Sequence, residues 1–341
     1  MAPRAFICGL KGTALAEEER AFLRDARPWG VILFRRNIGE LDDIRRLCGA
    51  VREALGRGDA PILIDQEGGR VQRIGPPHLR AYPSGATYGQ LYDLNPLLGV
   101  EAAHLGARLM ALDLASLGVT VDCVPVLDVP AEGNTPAIGD RTLGRTVDSV
   151  STLGGAQIDG MLSGGVIPVI KHLPGHGRAQ VDSHQELPRV DASLAALQAQ
   201  DFAPFRLLAS KAPLGMTAHV VFSAIDDSAP ATLSGAVIAN IIRGRIGFDG
   251  ALMTDDISMG ALSGDFRGRA EAAIRAGCDL VLHCNGELGE MTEIAIGAPE
   301  LAGDALRRTE RALAARTEPA PVDRPALEAR FDSLLAKAPV A

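Results

Sequence analysis

GVIPVIKHLPGHGRAQVDSHQELPRV, residues 165–190, is the stretch that decides the fold. It opens with the apolar run Val166–Ile170, which is short and rich in β-branched residues, as strands buried on both faces are. Lys171 and His172 follow at once, and Pro174 excludes a helix directly after them. A buried strand that leads into a histidine-rich loop is typical of a rigid scaffold that presents reactive side chains.

Seven further apolar runs repeat this pattern along the chain. The eight predicted strands are Ala5–Leu10, Gly30–Phe34, Pro61–Ile64, Val119–Leu127, Val166–Ile170, Leu214–Ala218, Ala251–Thr254 and Leu280–Leu282. Helical patterns lie between most of them, at Leu15–Asp25, Leu41–Leu55, Pro96–Ser116, Ser149–Ser163, Ala192–Ala209, Gly235–Ile246 and Gly264–Ala276. Alternating strands and helices predict an α/β protein with parallel strands joined by crossovers. Eight units without a glycine-rich fingerprint after the first strand favour a closed (β/α)8 TIM barrel over an open doubly wound sheet.

The barrel pattern stops near residue 290, and no second domain is visible in the sequence. We therefore predict a barrel catalytic domain over residues 1–290 and a C-terminal helical extension over residues 291–341 that packs on it. Gly289–Ala315 has helical character, TEPAPV at residues 317–322 has linker composition, and Pro325–Leu335 is amphipathic.

Composition limits the classes of function. The 341 residues are 47% apolar and 22% charged, as in a globular protein. The net charge is -8 and no block of Lys or Arg occurs, which argues against nucleic acid and anionic membranes as partners. The five cysteines are scattered without a CxxC pair, and no apolar segment suits a signal peptide or a membrane span. We expect a cytoplasmic protein.

Polar residues follow nearly every predicted strand. Because the carboxyl ends of barrel strands form one rim, these residues predict an active site at that rim. They are Arg35, Asn37, Asp65, Asp128, Lys171, His172, His219, Asp255, His283 and Asn285.

The histidine-rich loop offers two kinds of chemistry. Asp182 and His184 are two residues apart, and a carboxylate that accepts the ring N–H of an imidazole makes it a poised proton shuttle. The same pair could instead only hold the loop together. His172, His176 and His184 could also supply three imidazoles to a metal, as in a metal-dependent amidohydrolase. Against that alternative, Pro174 interrupts the first two histidines and no Glu accompanies them.

Three other motifs carry candidate site residues. Asp255, in TDD, directly follows the seventh predicted strand and could be a nucleophile, a metal ligand or an anchor, whereas Asp256 is predicted to cap a helix. Asp65 and Arg70, in DQEGGRVQR, could bind hydroxyl groups or brace the rim. Arg141 offers a planar fork of donors.

KHLPGHG at residues 171–177, followed four residues later by DSH at 182–184, resembles the signature of glycoside hydrolase family 3 β-N-acetylglucosaminidases. DQEGGRVQR, VPVLDV, MTAHVVFSAID with PATLS, and TDDISM match further blocks of that family in order, so the resemblance covers roughly residues 5–290. It implies a single-domain bacterial β-N-acetylhexosaminidase that removes terminal β-1,4-linked N-acetylglucosamine from peptidoglycan fragments during cell-wall recycling. Other members carry an extra α/β domain that supplies the acid/base, a role that the DSH loop takes in the branch that this chain resembles.

The resemblance also implies roles for individual residues. Asp255 matches the nucleophile of a retaining mechanism, His184 the proton donor and acceptor, and Asp182 the group that orients His184. A histidine suits both proton transfers because its ordinary pKa is about 6.5. The residues that match the sugar pocket are Asp65, Arg70, Arg141, Lys171, His172 and His219. The resemblance implies a muropeptide or oligosaccharide substrate and no cofactor or metal, and we expect a monomer. The metal-dependent amidohydrolase and a sugar-binding barrel without catalysis are the alternatives.

Overall fold

The structure, a computed structural model, describes residues 2–131, 133, 135–183, 186–319 and 321–339. Eight parallel strands close into a barrel in which neighbours in space are neighbours in chain order, and this confirms the predicted (β/α)8 fold. The barrel strands are Arg4–Gly9, Pro28–Leu33, Ile62–Ile64, Val121–Asp122, Ile167–Leu173, Leu214–Thr217, Ala251–Asp256 and Leu280–His283.

Closure of the barrel buries both faces of its strands. The first strand pairs with the second on one side and with the eighth on the other, where Phe6 lies opposite Val281. Successive residues of the first strand enter two separate apolar clusters, Ala5 and Ile7 in one and Phe6 in the other. Because side chains alternate across a strand, one cluster fills the barrel and the other packs beneath the helices.

Helices form the outer layer. Their bounds are Glu17–Ala26, Leu41–Leu55, Gly85–Leu94, Pro96–Ser116, Val147–Ser163, Leu194–Ala199, Ala203–Leu208, the π-helical turn segment Val237–Arg245, Phe266–Ala276, Leu288–Gly297, Gly303–Ala314 and Arg324–Leu335. Among the helices of the described ranges, none is long and apolar enough to cross a membrane.

Two predicted elements are shorter than expected because of proline. The helix predicted at Ala192–Ala209 is two helices, since Pro204 lacks an N–H and its ring clashes with the carbonyl four residues earlier. In the predicted strand Val119–Leu127, only Val121–Asp122 is regular, and Pro125 cannot donate to a strand ladder.

One helix, Gly85–Leu94, was not predicted at all. Two of its residues are glycines, which weaken helical propensity. A Cβ on Gly85 would lie 2.2 Å from the carbonyl oxygen of Arg141, so glycine permits the helix to pack directly on the segment that carries this arginine.

The C-terminal part also differs from the prediction. Gly289–Ala315 is two helices, because residues 298–302 run beside the first barrel strand instead. There, Ala5 N donates to the carbonyl of Pro299 at 2.8 Å, and Leu301 N to that of Pro3 at 2.9 Å. The division of the chain at residue 290 stays a prediction.

Candidate active site

A cavity of about 370 Å³ opens at the carboxyl ends of the barrel strands. The lining combines charged residues with apolar side chains such as Phe34 and Met216. The structure brings together at this cavity most of the residues predicted from sequence, namely Asp65, Arg70, Arg141, Lys171, His172, Asp182 and Asp255. The predicted proton donor His184 lies outside the described residues.

A network of buried charges forms one wall. The Lys171 ammonium lies 3.0 Å from Asp65 Oδ1 and 2.7 Å from Glu67 Oε1. Arg141 donates to both oxygens of Glu67 at 2.8 Å, and Arg73 donates to Asp65 Oδ2 at 3.0 Å. Three cations therefore share two carboxylates, an arrangement that leaves donor capacity for a ligand.

The network keeps its members ionised. Burial alone would favour the neutral acids, but Lys171 and Arg141 outweigh it and hold the pKa of Glu67 at about 2. Burial would also raise the pKa of Asp65, but Lys171 and Arg73 outweigh it and hold that pKa below its usual range. Burial also opposes the charge of Lys171, yet Asp65 and Glu67 raise its pKa. At neutral pH the wall presents fixed full charges, which make stronger hydrogen bonds than neutral groups.

Asp255 lies near the end of the seventh strand, partly exposed to the cavity. Its Oδ1 accepts a hydrogen bond from Asp256 N at 2.8 Å. Burial raises its pKa, but the nearby His219 and His172 outweigh burial, so the pKa is lower than usual. Asp255 is thus held as a carboxylate, the form that a nucleophile requires.

Asp256 does not begin a helix, and that prediction is wrong. Its carboxylate accepts from Ser258 N at 3.0 Å and from Cys284 N at 3.1 Å, which ties a turn to the end of the eighth strand. The next helix begins only at Phe266, with Asp265 as its N-cap.

Two of the loop histidines are held by Asp128, which is fully buried. Asp128 Oδ2 lies 2.7 Å from His172 Nδ1, and its Oδ1 accepts from His176 N at 2.6 Å. Burial, and next the neighbouring His172, lower the pKa of His176 to about 4, so that imidazole is neutral at pH 7. His176 Nε2 lies 3.3 Å from the Ser183 hydroxyl.

Within the described part of the chain, no group of three or more His, Cys, Asp or Glu side chains has the geometry of a metal site. His172 and His176 are already engaged by Asp128 and Ser183. His184, the third imidazole of the amidohydrolase alternative, lies outside the described residues.

The loop that leads to His184 is anchored to its surroundings. Ala131 N donates to the Gly177 carbonyl at 2.9 Å, and Arg178 pairs with Asp201 at 2.7 Å. A Cβ on Gly177 would lie 1.9 Å from the carbonyl oxygen of Val129, so only glycine fits there. These anchors bring Asp182 to the same cavity as Asp255.

His219 is buried and does not belong to the cavity lining. Its Nδ1 lies 2.7 Å from Thr232 Oγ1, and its Nε2 lies 3.0 Å from the carbonyl oxygen of Asp256. Because a carbonyl only accepts, Nε2 carries the proton. Burial lowers the pKa of His219.

Sequence reasoning missed Glu67 and Arg73, although both lie in the quoted motif DQEGGRVQR. The signal for Glu67 was its spacing, since residues two apart in an extended segment point to the same side. Arg70, a predicted site residue, lines the cavity. Its guanidinium, however, donates hydrogen bonds to Asp140 at 2.8 Å and to the carbonyl of Pro136 at 2.9 Å. Arg73 is the arginine of this motif that contacts Asp65.

Enzymes with a barrel of this kind carry their active sites at the carboxyl ends of the strands, where this chain has its charged cavity. Its similarity to known proteins makes the chain a glycoside hydrolase. Residues 6–306 match the Glycosyl hydrolase family 3 N terminal domain. The chain belongs to glycosyl hydrolase family 3, as its motifs predicted.

Similar proteins agree in sequence and in structure. A beta-hexosaminidase of Alkalilimnicola ehrlichii is 42% identical over 280 residues, 81% of this chain and 79% of the relative. One from Aromatoleum aromaticum is 36% identical over 320 residues, 93% of this chain and 88% of the relative. The crystal structure of NagZ from Neisseria gonorrhoeae in complex with N-trifluoroacetyl-D-glucosamine has a TM-score of 0.88 at 30% identity, and 99% of each chain is covered.

Proposed function

We propose that this chain is a retaining β-N-acetylhexosaminidase that removes terminal β-1,4-linked N-acetylglucosamine from peptidoglycan fragments. It works in the cytoplasm as a monomer, during cell-wall recycling. The observation that carries the proposal is geometric: Asp255 shares one cavity with Asp182 and with the network of paired charges around Lys171.

The charged wall is the sugar-binding side. Lys171, Arg73 and Arg141 donate to hydroxyl and acetamido oxygens, and Asp65 accepts from a hydroxyl. All are already held in place by ion pairs within the wall, so little ordering is required when the sugar binds. The N-trifluoroacetyl-D-glucosamine in the gonococcal relative supports an N-acylated amino sugar as the substrate.

The reaction takes two steps. The Asp255 carboxylate attacks the anomeric carbon and forms an ester bond to it while the bond to the leaving oxygen breaks. His184 gives its proton to that oxygen, and Asp182 orients the imidazole. In the second step, His184 takes a proton from water, and the water oxygen attacks the anomeric carbon and displaces Asp255. The sugar is released with retained configuration.

Three further residues support this machinery without acting on the glycosidic bond. His219 donates to the Asp256 carbonyl and so orients the peptide that carries Asp255. Arg70 braces the cavity wall through Asp140. His172, held by Asp128, supplies the polar side of the cavity next to Lys171.

A histidine acid/base suits the proposed substrate. A glutamate would be ionised once it had given up its proton, and its charge would repel the lactyl and peptide carboxylates of muramyl fragments. Histidine is neutral at that stage, so the repulsion is absent.

Two measurements test the proposal. Purified enzyme should hydrolyse an aryl β-N-acetylglucosaminide, and the aryl β-glucoside much more slowly. A 5-fluoro derivative of an activated N-acetylglucosaminide should label the peptide that contains Asp255, and the Asp255→Asn variant should take up no label. A label on another residue, or inversion at the anomeric carbon, would overturn the retaining mechanism through Asp255.

A further inference from the structure

The last helix, Arg324–Leu335, follows the segment that matches the family, yet it contacts the chain next to the sugar-binding wall. Phe331 is fully buried, and its ring centroid lies 6.4 Å from that of Tyr82. The Arg80 guanidinium lies 5.0 Å from the Phe331 ring and 5.7 Å from the Tyr82 ring. Arg80 also forms an ion pair with Asp332. The helix thus holds the segment Arg80–Tyr82 through both charge and packing.

Tyr82 is held from a second side by the same helix. Its hydroxyl donates to Asp113 Oδ2 at 2.7 Å, and the other oxygen of Asp113 pairs with Arg324. Asp113 is buried, so its two oxygens need these hydrogen-bond partners. Arg324, at the start of the last helix, therefore holds Tyr82 through Asp113, and Phe331 and Asp332, closer to the end of the helix, hold Arg80.

A buried amide connects this segment to the hairpin of the sugar pocket. Gln72 Nε2 donates to the Arg80 carbonyl at 2.8 Å, and Gln72 Oε1 accepts from Tyr82 N at 2.9 Å. Gly69 N donates to the Tyr82 carbonyl at 2.9 Å. Gln72 belongs to the small antiparallel pair formed by Gln66–Gly68 and Val71–Gln72.

A second buried amide carries the connection to the binding residues. Gln66 Oε1 accepts from Arg73 N at 2.9 Å and from Ile74 N at 3.0 Å. Gln66 lies between Asp65 and Glu67 in the chain, and the Arg73 guanidinium forms an ion pair with Asp65. Contacts therefore connect the last helix, through Gln72 and Gln66, to the segment that carries Asp65, Glu67 and Arg73.

We propose that Phe331 and Asp332 are positioning residues of the sugar pocket, which act through Arg80, Tyr82 and the two buried glutamines. The inference rests on the proposed function, because it takes the wall that contains Asp65, Glu67 and Arg73 to be the sugar-binding side. Without the helix contacts, residues 65–73 sample more conformations. Substrate binding must then order them, and this loss of conformational entropy weakens binding. None of these groups touches the reacting bond, so the effect is on binding and not on the chemical step.

The test compares two charge-neutralising variants of one helix. Asp332→Asn removes the pair with Arg80. Arg330→Gln, on the same helix as Asp332, removes an exposed pair with Glu101 of the helix Pro96–Ser116. We expect Asp332→Asn to raise KM for the aryl N-acetylglucosaminide about threefold with kcat unchanged, the size that one exposed ion pair supports. The dissociation constant of N-acetylglucosamine should rise equally. Arg330→Gln should change neither constant. The proposal would be overturned if both variants had the KM of the wild type and lowered Tm by the same amount.

A double variant checks the route of the effect. Gln72→Met removes the side-chain hydrogen bonds to Arg80 and Tyr82 and replaces the amide with an apolar side chain of similar length. In that background, Asp332→Asn should raise KM no further, because the connection is already cut. Full additivity of the two changes in log KM would show that the helix does not act through Gln72.

Hydrogen exchange gives a readout that does not depend on turnover. Asp332→Asn should speed amide exchange in residues 66–74 and leave the seventh strand, Ala251–Asp256, unchanged, while Arg330→Gln should change neither. Unchanged exchange in residues 66–74 would overturn the positioning role. A wild-type enzyme without glycosidase activity would overturn the proposed function alone, so the two failures are distinguishable.

Discussion

Glu67 joins two cations of the charged wall: it lies 2.7 Å from Lys171 and accepts two hydrogen bonds of 2.8 Å from Arg141. Only 6% of the Glu67 side chain is exposed, and 3% of that of Lys171. The pocket is therefore a set of mutually dependent charges, and the loss of one member leaves the others buried with fewer partners.

Glu67→Gln should lower both stability and binding. The neutral amide cannot balance Lys171 and Arg141, and removal of one partner of a buried ion pair costs about 3–5 kcal/mol. We expect the free energy of unfolding in urea to fall by about 3 kcal/mol and KM to rise. The control is Asp140→Asn, which breaks the exposed pair with Arg70 and should cost less than about 1 kcal/mol. Equal losses for the two variants would contradict the coupling of the buried charges.

The two adjacent acids of the seventh strand should behave differently. Asp255→Asn removes the proposed nucleophile, and we expect kcat to fall by about 10⁴-fold or more. Asp256→Asn keeps a side-chain oxygen for Ser258 N and Cys284 N, so this variant should retain measurable turnover. Steady-state rates on the aryl N-acetylglucosaminide decide, and a more severe loss in Asp256→Asn would reverse the assignment.

Arg73 should matter more for binding than Arg70. Arg73 contacts Asp65 in the cavity, whereas the guanidinium of Arg70 is occupied by Asp140 and backbone carbonyls. A hydrogen bond to a charged group contributes about 1.5–3 kcal/mol, so Arg73→Ala should lower kcat/KM by about tenfold or more. Arg70→Ala should have a smaller effect. The opposite order in measured kcat/KM would return the role to Arg70.

The acid role proposed for His184 predicts that the effect of its loss depends on the leaving group. An aryl group with an acidic phenol departs without protonation, whereas a sugar alcohol needs it. His184→Ala should therefore slow hydrolysis of chitobiose far more than that of the activated aryl glycoside. Asp182→Asn should show the same trend to a smaller degree. Equal slowing of both substrates by His184→Ala would refute the acid assignment.

His176 should make stability depend on pH. Burial, together with the neighbouring His172, lowers its folded pKa to about 4, below the value of about 6.5 in the unfolded chain. Between these values the unfolded chain binds the proton and the folded protein does not, so stability falls as the pH falls from 6.5 to 4. The loss should reach about 3 kcal/mol, and His176→Asn should remove that part of the slope. Urea unfolding between pH 7 and pH 4 measures it, and identical slopes would contradict the prediction.

The barrel was predictable because its signals are local. Each barrel strand is a short run whose two faces are both buried, so most of it is apolar and polar residues are concentrated at its end, and each crossover contains a stretch of helical character. The elements that escaped prediction lack such a signal. Gly85–Leu94 is glycine-rich and is held by its close approach to Arg141, which no local pattern records.

The site divides in the same way. The sequence by itself determined which residues stand at the strand ends, because parallel strands of a closed barrel must bring Asp65, Lys171 and Asp255 to one rim. Only the tertiary structure decided that Arg73 and not Arg70 contacts Asp65, and that Glu67 joins Lys171 to Arg141. Those choices depend on the register and twist of a hairpin held by buried amides. Such contacts join residues far apart in the chain, and their energies appear only when the chain is folded.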